Sequence, residues 1–141
     1  MDDPYDLERF VAAQDADDAY DRAIEELRRG HKTSHWMWFV FPQIAGLGRS
    51  AMSRRFAISS LMEAHAYLHH AILGPRLIEC ARIVAEGQSE SARQIFGSID
   101  AQKLHSSMTL FMRAAPDEPV FGQVLDRYFD RLPDLATEQH V

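Results

Sequence analysis

The chain has 141 residues, of which 46% are hydrophobic and 26% are charged, and its formal net charge is −6. This length suits one domain, and the balance of apolar and charged residues excludes an intrinsically disordered chain. The acidic net charge disfavours binding of nucleic acid by the whole surface. No apolar run is long enough to span a bilayer, and the acidic N-terminus does not resemble a signal peptide. We therefore expect a cytoplasmic protein without membrane contact.

Helical periodicity dominates the chain from its N-terminal end. A first apolar face begins at Leu7, and a second runs over residues 16–27. The acidic start of the second stripe and the sequence Arg28-Arg29-Gly30 at its end are typical of helix termini. Between this stripe and the next helix, residues 35–41 are rich in β-forming side chains, but no second strand exists to pair with them. We interpret this aromatic segment as a buried helix or an extended core segment.

Further helical stripes follow in the second half of the chain. They cover residues 61–72, 77–84, 104–115 and 121–128, with a short terminal helix near Leu135. Ser89 or Ser91 is suited to cap a short helix that reaches Phe96 and ends at Gly97. The pattern predicts an all-α fold, a compact orthogonal array or bundle of about six to seven helices. We expect one helical domain over residues 1–141, with its core roughly at 5–135.

Charge is distributed unevenly along the chain. Residues 1–26 contain ten acids and two bases, whereas residues 27–62 contain six bases and no acid. An acid-free central third favours a local positive potential that suits an anionic ligand. The competing interpretation is that these six bases pair across the fold with the N-terminal acids.

The aromatic segment is the first candidate for a binding site. Trp36 and Trp38 are the two tryptophans of the chain, and His35 and Gln43 lie on either side of them. An indole ring offers a broad face for stacking a planar ring. His35 is the candidate acid or base, because the unperturbed pKa of histidine lies near neutrality. The alternative is that the aromatic run is only the central core segment.

A glycine-bearing segment at residues 46–55 is the second candidate. Its two glycines allow backbone N–H groups to turn toward a ligand, and Ser50 can cap the helix that follows. Arg49 and Arg54 are then suited to neutralise a phosphate or carboxylate, with Ser53 as a further hydrogen-bonding group. The segment matches neither the Walker pattern nor the dinucleotide fingerprint. The alternative is a glycine-bearing turn with an ordinary cap.

A third polar cluster contains Lys103 and Ser106. A supporting role, in which both side chains face the same pocket as His35, is somewhat better supported than a catalytic pair of Lys103 with Ser107. The usual explanation of such residues is a solvated helix face or an N-terminal turn.

Metal chemistry has weak support in the sequence. His65 and His69 have a spacing that can bind zinc on one helix face, but no third ligand stands out. The single cysteine, Cys80, is surrounded by apolar residues and is best interpreted as a packed thiol in a reducing compartment. We therefore assign no metal and no cofactor.

Three groups of motifs carry a resemblance to a known family. They are residues 30–43 (GHKTSHWMWFVFPQ), residues 46–50 (GLGRS), and residues 96–100 (FGSID) with residues 103–111 (KLHSSMTLF). With these motifs the chain resembles a bacterial family of unknown function, some of whose members carry the label calpastatin. The resemblance implies an all-helical compact domain and no particular activity. It also implies that Phe56 replaces a tyrosine that relatives commonly have.

These observations lead to a hypothesis of a small anionic, nucleotide-like ligand at the central third of the chain. His35 is the catalytic candidate if a reaction occurs. The candidate ligand-binding residues are Lys32, Trp36, Trp38, Gln43, Arg49, Ser50, Ser53, Arg54, Lys103 and Ser106. The alternative is a protein–protein interaction module without catalysis, in which the acidic and basic regions are complementary surfaces that favour a homo-oligomer. A nucleic-acid binder ranks last.

Overall fold

The computed structural model describes residues 2–141, and all its regular elements are helical. The elements are α1 (Glu8–Asp15), a 3-10 turn (Ala16–Asp18), α2 (Ala19–Arg29), α3 (Met37–Val40), α4 (Ala51–Arg55), α5 (Leu61–His69), α6 (Leu73–Glu86), α7 (Ala92–Ala114), α8 (Pro119–Tyr128) and α9 (Leu135–His140). The described residues contain no strand and only an isolated bridge between Ile44 and Ile58. The all-α prediction is therefore confirmed. Within residues 2–141 no helix is both long and apolar enough to cross a lipid bilayer.

Helix α7 is the centre of the fold. It packs against α5, α8 and α9, while α6 packs against α2, α5 and α8. Helix α1 lies against α2 and the short α3. The fully buried side chains include many aromatic rings, and this burial supplies most of the stabilising free energy. Among them are Phe10, Trp36, Phe41, Tyr67, Phe111 and Phe121.

Local signals determine several helix ends. The hydroxyls of Ser50 and Ser91 accept hydrogen bonds from the backbone N–H groups of Ser53 and Gln94, as expected of N-caps. Gly97 interrupts α7 with φ 78° and ψ 168°, a conformation open almost only to glycine. The sequence predicts a helix end at this glycine. In the structure the chain kinks there and a second helical segment continues to Ala114.

The two N-terminal apolar stripes form separate helices, and the second helix begins three residues later than its stripe. Asp17 and Asp18 adopt left-handed backbone conformations with φ 51° and 56°. Helix α2 therefore begins only at Ala19, after a sharp change of direction from α1. Aspartate tolerates this conformation better than most residues with a β-carbon. The aromatic segment that follows α2 is partly helical, since α3 spans Met37–Val40.

Candidate functional site

A buried carboxylate organises the start of the aromatic segment. Glu26 is 1% exposed, and its Oε1 accepts hydrogen bonds from the backbone N–H groups of Thr33 (2.8 Å) and Ser34 (2.9 Å). The same oxygen accepts the indole N–H of Trp36 at 2.9 Å, and Oε2 accepts the Ser34 hydroxyl at 2.6 Å. Trp36 is itself 1% exposed. Trp36 therefore cannot stack on a ligand as expected, because its ring is buried in the core and its indole N–H is already bonded to Glu26.

The hydrogen bonds to Glu26 also keep it charged. Burial raises the pKa of this carboxyl group, but hydrogen bonds from Ser34, Thr33 and Trp36 outweigh burial and lower the pKa to about 2. Sequence reasoning missed Glu26, which is one of the ten acids in residues 1–26 and carried no role of its own there. A signal was present, because Glu26 is three residues after Ala23 and therefore lies on the buried face of α2.

Lys32, Trp38 and Lys103 meet around a second carboxylate. The ammonium group of Lys32 lies 2.8 Å from Oδ2 of Asp100, and that of Lys103 lies 3.3 Å from Oδ1. The Lys103 ammonium also lies 4.5 Å from the centre of the Trp38 ring. Two ammonium groups thus share one carboxylate and leave a local charge of +1. Lys32 is 8% exposed and also donates to the Ser34 carbonyl oxygen, so it holds the segment in place and is hidden from a ligand.

A depression lies beside this cluster, between the loop before α4 and the part of α7 after its kink. Its volume is about 430 Å³, and it adjoins a smaller one of about 150 Å³. Gln43, Gly48 and Ser53 line both, so we treat the two as one central cleft. The other residues of the central cleft are Ile44, Ala45, Gly46, Leu47, Arg54, Ala57, Ser98, Ile99, Gln102 and Lys103. No carboxylate belongs to this lining.

Glycine and backbone pairing shape the loop that borders the central cleft. A β-carbon at Gly48 would lie 2.4 Å from the Ser53 hydroxyl, so only glycine allows the loop to approach α4 this closely. The backbone N–H of Ile58 donates to the Gln43 carbonyl oxygen at 2.8 Å, and Ala45 N–H donates to the Ile58 carbonyl oxygen at 2.8 Å. These bonds place Gln43 at the edge of the cleft.

Two predicted site residues, Arg49 and Ser50, lie outside the central cleft. Ser50 accepts the Ser53 backbone N–H at 3.1 Å and donates to the Ser53 hydroxyl at 2.9 Å. Arg49 is exposed and lines no part of the cleft.

The expectation that Lys103 and Ser106 face the same pocket as His35 needs correction. Ser106 is 2% exposed, and its hydroxyl donates to Asp134 at 3.1 Å and to the Gln102 carbonyl oxygen at 3.1 Å. His35 lines a different depression, together with Arg55 of α4. Because Ser53 and Arg54 of the same helix line the central cleft, α4 separates His35 from Lys103.

Asp134 explains the position of Ser106. Its carboxylate accepts hydrogen bonds from the side chains of Gln102 and Ser106, and from the backbone and hydroxyl of Thr137. Burial raises the pKa of Asp134, but the bonds from Thr137, Ser106 and Gln102 outweigh burial and lower it. Asp134 thereby caps α9 and attaches it to α7. Sequence reasoning missed this role, because the partners lie about 30 positions earlier in the chain.

The six bases of the acid-free segment have different partners. Arg28 lies 3.5 Å from Glu79, and Arg29 lies 4.0 Å from Glu25, so only Arg29 pairs with an N-terminal acid. Lys32 pairs with Asp100. The other three bases have no carboxylate within 4.0 Å among residues 2–141, and they are Arg49, Arg54 and Arg55. A positive potential therefore remains around α4.

The histidine pair and the cysteine have structural surroundings. The rings of His65 and His69 stack with centres 4.1 Å apart, and His69 Nδ1 is bonded to the His65 carbonyl oxygen. Among the described residues no three His, Cys, Asp or Glu side chains are grouped as metal ligands. Cys80 is fully buried, as its neighbours predict, and burial raises the pKa of its thiol to about 12. A thiol with this pKa is a poor nucleophile.

Together, the fold and the site define a class of protein, a compact helical domain with a basic cleft at its surface beside a buried aromatic segment. The chain belongs to the family described as "Protein of unknown function (DUF1810)", whose profile matches residues 4–141. It is similar to the conserved hypothetical protein Rv1873 from Mycobacterium tuberculosis, with 50% identity over 97% of this chain and 96% of that chain and a TM-score of 0.93. No protein with a curated description matches. The resemblance to an uncharacterised family is confirmed, whereas neither comparison carries the label calpastatin.

Proposed function

We propose that this protein binds a small organic anion, with a phosphate or carboxylate group, in the central cleft. The observation that carries the proposal is that Arg54 and Lys103 line two adjoining depressions that share Gln43, Gly48 and Ser53, and that no carboxylate among residues 2–141 lines either of them. A cleft of this kind concentrates negative charge from solution. Its larger part, at about 430 Å³, is within the usual range for a small-molecule site.

The two cations differ in how firmly they are held. Arg54 is exposed, and among residues 2–141 its guanidinium makes no hydrogen bond or ion pair, so it can turn toward a ligand. Lys103 is 20% exposed and is held by Asp100 and by the face of Trp38. Because Asp100 also neutralises Lys32, the cluster keeps a surplus positive charge beside the cleft. A fixed ammonium group and a mobile guanidinium are a suitable pair for an anion.

Uncharged groups in the cleft can orient a bound anion through hydrogen bonds. The amide of Gln43 and the hydroxyls of Ser53 and Ser98 line the cleft and can donate hydrogen bonds. Gly97 breaks α7, so a new helical segment begins at Ser98, and Ser98 and Ile99 of its first turn line the cleft. Ile99 supplies an apolar side chain that is 74% exposed. This combination favours an organic anion with a small apolar part.

The proposal is for binding and does not include catalysis. His35, the catalytic candidate from the sequence, lies on the other side of α4. Within the cleft, Arg54 and Lys103 are charge-neutralising groups and Ser53 is a hydrogen-bonding group.

The test is a titration with four probes: inorganic phosphate, citrate, AMP and ADP-ribose. We expect at least one probe to raise the melting temperature with dose and to give a measurable Kd by calorimetry. Arg54→Ala should weaken that binding about tenfold, since a charge-assisted hydrogen bond is lost. Lys103→Ala should weaken it similarly.

The matched control is Arg93→Ala, because Arg93 is exposed on α7 and outside the cleft. It should bind as the unmodified protein does. The proposal fails if no probe binds, or if Arg54→Ala and Arg93→Ala have the same affinity.

A further inference from the structure

We propose that the depression containing His35 is a second ligand site, which takes a planar aromatic molecule with one anionic group. We call it the His35 groove. It lies between α1, the turn after α1, α3 and the face of α4 that points away from the central cleft. Its volume is about 380 Å³, enough for a molecule of one or two fused rings. The inference does not depend on the proposed function of the central cleft.

The groove has an apolar floor and low walls. Phe39 and Phe56 lie beneath the floor, and because they are 8% and 2% exposed, only a small part of each ring is accessible. Met52 of α4 adds a flexible thioether beside them. The opposite wall is formed by the alanines of α1 and the following residues, whose single methyl groups leave the floor open. A flat ring can lie on this floor through van der Waals contacts with Met52, the alanine methyl groups and the accessible part of Phe39.

The change of direction after α1 keeps the groove open. Asp17 and Asp18 hold left-handed backbone conformations there, and Arg22 donates a hydrogen bond to the Asp17 carbonyl oxygen. If α1 continued through this point as a straight helix, the side chains of Ala19 and Arg22 would point in other directions. The local conformation therefore determines which side chains reach the groove.

Positive charge is concentrated at the rim. Arg22, His35 and Arg55 line the groove, and neither arginine has a carboxylate within 4.0 Å among residues 2–141. The Arg55 guanidinium carbon lies 5.0 Å from the centre of the Phe56 ring, so this cation covers part of Phe56 at the edge of the groove. Asp17 is the single acidic residue in the lining, against two arginines.

These two features together specify the ligand class. The apolar floor adds little to the binding of a bare phosphate, and the two arginines add little to the binding of a neutral hydrocarbon. A planar ring with one carboxylate or phosphate uses both. Arg54 and Ser53 face the central cleft, so the two sites are separate.

The probes are naphthalene-2-carboxylate and its uncharged analogue naphthalene-2-carboxamide, each titrated by calorimetry. We expect the carboxylate to bind at least about tenfold more tightly than the carboxamide, because it gains charge-assisted hydrogen bonds. Ala12→Leu should abolish binding of both, since Ala12 is an exposed wall residue whose enlargement fills the groove. Arg22→Gln and Arg55→Gln should each remove most of the preference for the carboxylate.

Two controls separate this site from a general surface effect and from the central cleft. Ala136→Leu adds the same side chain at an exposed position of α9, outside the groove, and should bind normally. Arg54→Ala should also bind naphthalene-2-carboxylate normally. Equal affinity for the two probes, retained binding in Ala12→Leu, or loss of binding in Arg54→Ala would each overturn the proposal.

Discussion

At the scale of single residues, buried carboxylates determine how the candidate sites are built. Glu26 accepts four hydrogen bonds from Thr33, Ser34 and Trp36. Asp100 likewise binds the ammonium groups of Lys32 and Lys103. Asp134 accepts the hydrogen bond of the Ser106 hydroxyl and attaches α9 to α7. Each removes a predicted ligand-binding group, namely Trp36, Lys32 or Ser106, from contact with solvent. Arg54 remains available because it has no carboxylate partner among residues 2–141, whereas Lys103 shares Asp100 with Lys32 and stays 20% exposed.

We expect Glu26→Gln to lower the free energy of unfolding by about 3 kcal/mol. The amide removes the negative charge and turns an N–H group toward donors that need an acceptor. Urea denaturation at neutral pH measures the change. Glu25→Gln is the matched control, since Glu25 is exposed and 4.0 Å from Arg29, and its effect should be within about 0.5 kcal/mol. Similar losses in the two variants would contradict the role of Glu26.

Glu26 should also make stability depend on pH in the acidic range. Its pKa is lowered in the folded protein from an ordinary value of 4.5 to about 2. The unfolded chain therefore takes up the proton first, and the stability that Glu26 contributes is complete above pH 4.5 and lost as pH falls to about 2. Unfolding free energies measured across this window should fall less steeply in Glu26→Gln than in the unmodified protein. A remaining slope is expected, because the pKa of Asp134 is lowered as well.

At the scale of elements, the kink in α7 gives the central cleft its shape. We expect Gly97→Ala to cost about 1–3 kcal/mol in unfolding free energy, because alanine at φ 78° is strained. Gly122→Ala is the matched control. Neither added β-carbon meets an atom within 4 Å, but Gly122 lies in α8, where alanine is favoured by up to about 1 kcal/mol. Thermal and urea denaturation should show changes in unfolding free energy of opposite sign for the two variants. The same sign for both would argue against strain at Gly97.

Helix α9 depends on Asp134 for its attachment. We expect Asp134→Ala to lower the unfolding free energy by about 2 kcal/mol, since the cap of α9 and the bonds to Gln102 and Ser106 are lost together. In Asp134→Ala, the backbone amides of α9 should exchange with deuterium faster than those of α8. Asp117→Ala, at an exposed position, is the control and should leave both quantities unchanged. Unchanged exchange in α9 would show that other contacts hold this helix.

At the scale of the whole molecule, Arg9 joins the N-terminal helix to the central third of the chain. Its guanidinium donates to the carbonyl oxygens of Arg55 (2.8 Å) and Ala57 (2.7 Å), and to Glu63 at 3.0 Å. Glu63 has a side chain that is 3% exposed, so loss of Arg9 would leave a buried carboxylate without its cation.

We therefore expect Arg9→Ala to cost about 3 kcal/mol in unfolding free energy. Arg9→Lys should recover part of this, because it keeps the charge but not the fork of donors. Chemical denaturation of both variants, with Arg93→Ala for comparison, checks the prediction. Equal losses for the alanine and lysine variants would mean that geometry alone matters.

Self-association through the acidic and basic regions stays a prediction. Some of the charges that would take part are already paired within the chain, since Asp15 of the acidic region lies 3.0 Å from Arg76 and Arg28 of the basic region lies 3.5 Å from Glu79. Light scattering over a range of salt and protein concentrations measures the oligomeric state. An oligomer that dissociates with salt would support the hypothesis, and a monomer under all conditions would contradict it.

Much of this molecule was determined by the sequence acting locally. Helical periodicity, the caps at Ser50 and Ser91, and the break at Gly97 depend on neighbours within about four positions, which is the range of helical hydrogen bonds. The acid-free third is likewise a property of the chain itself. Tertiary structure decided which of its cations are neutralised, because Asp100 is 68 positions after Lys32. It also decided the side of α4 on which each group lies, since the rotation of a five-residue helix is determined by the core beneath it. His35 and Lys103 are therefore in separate depressions.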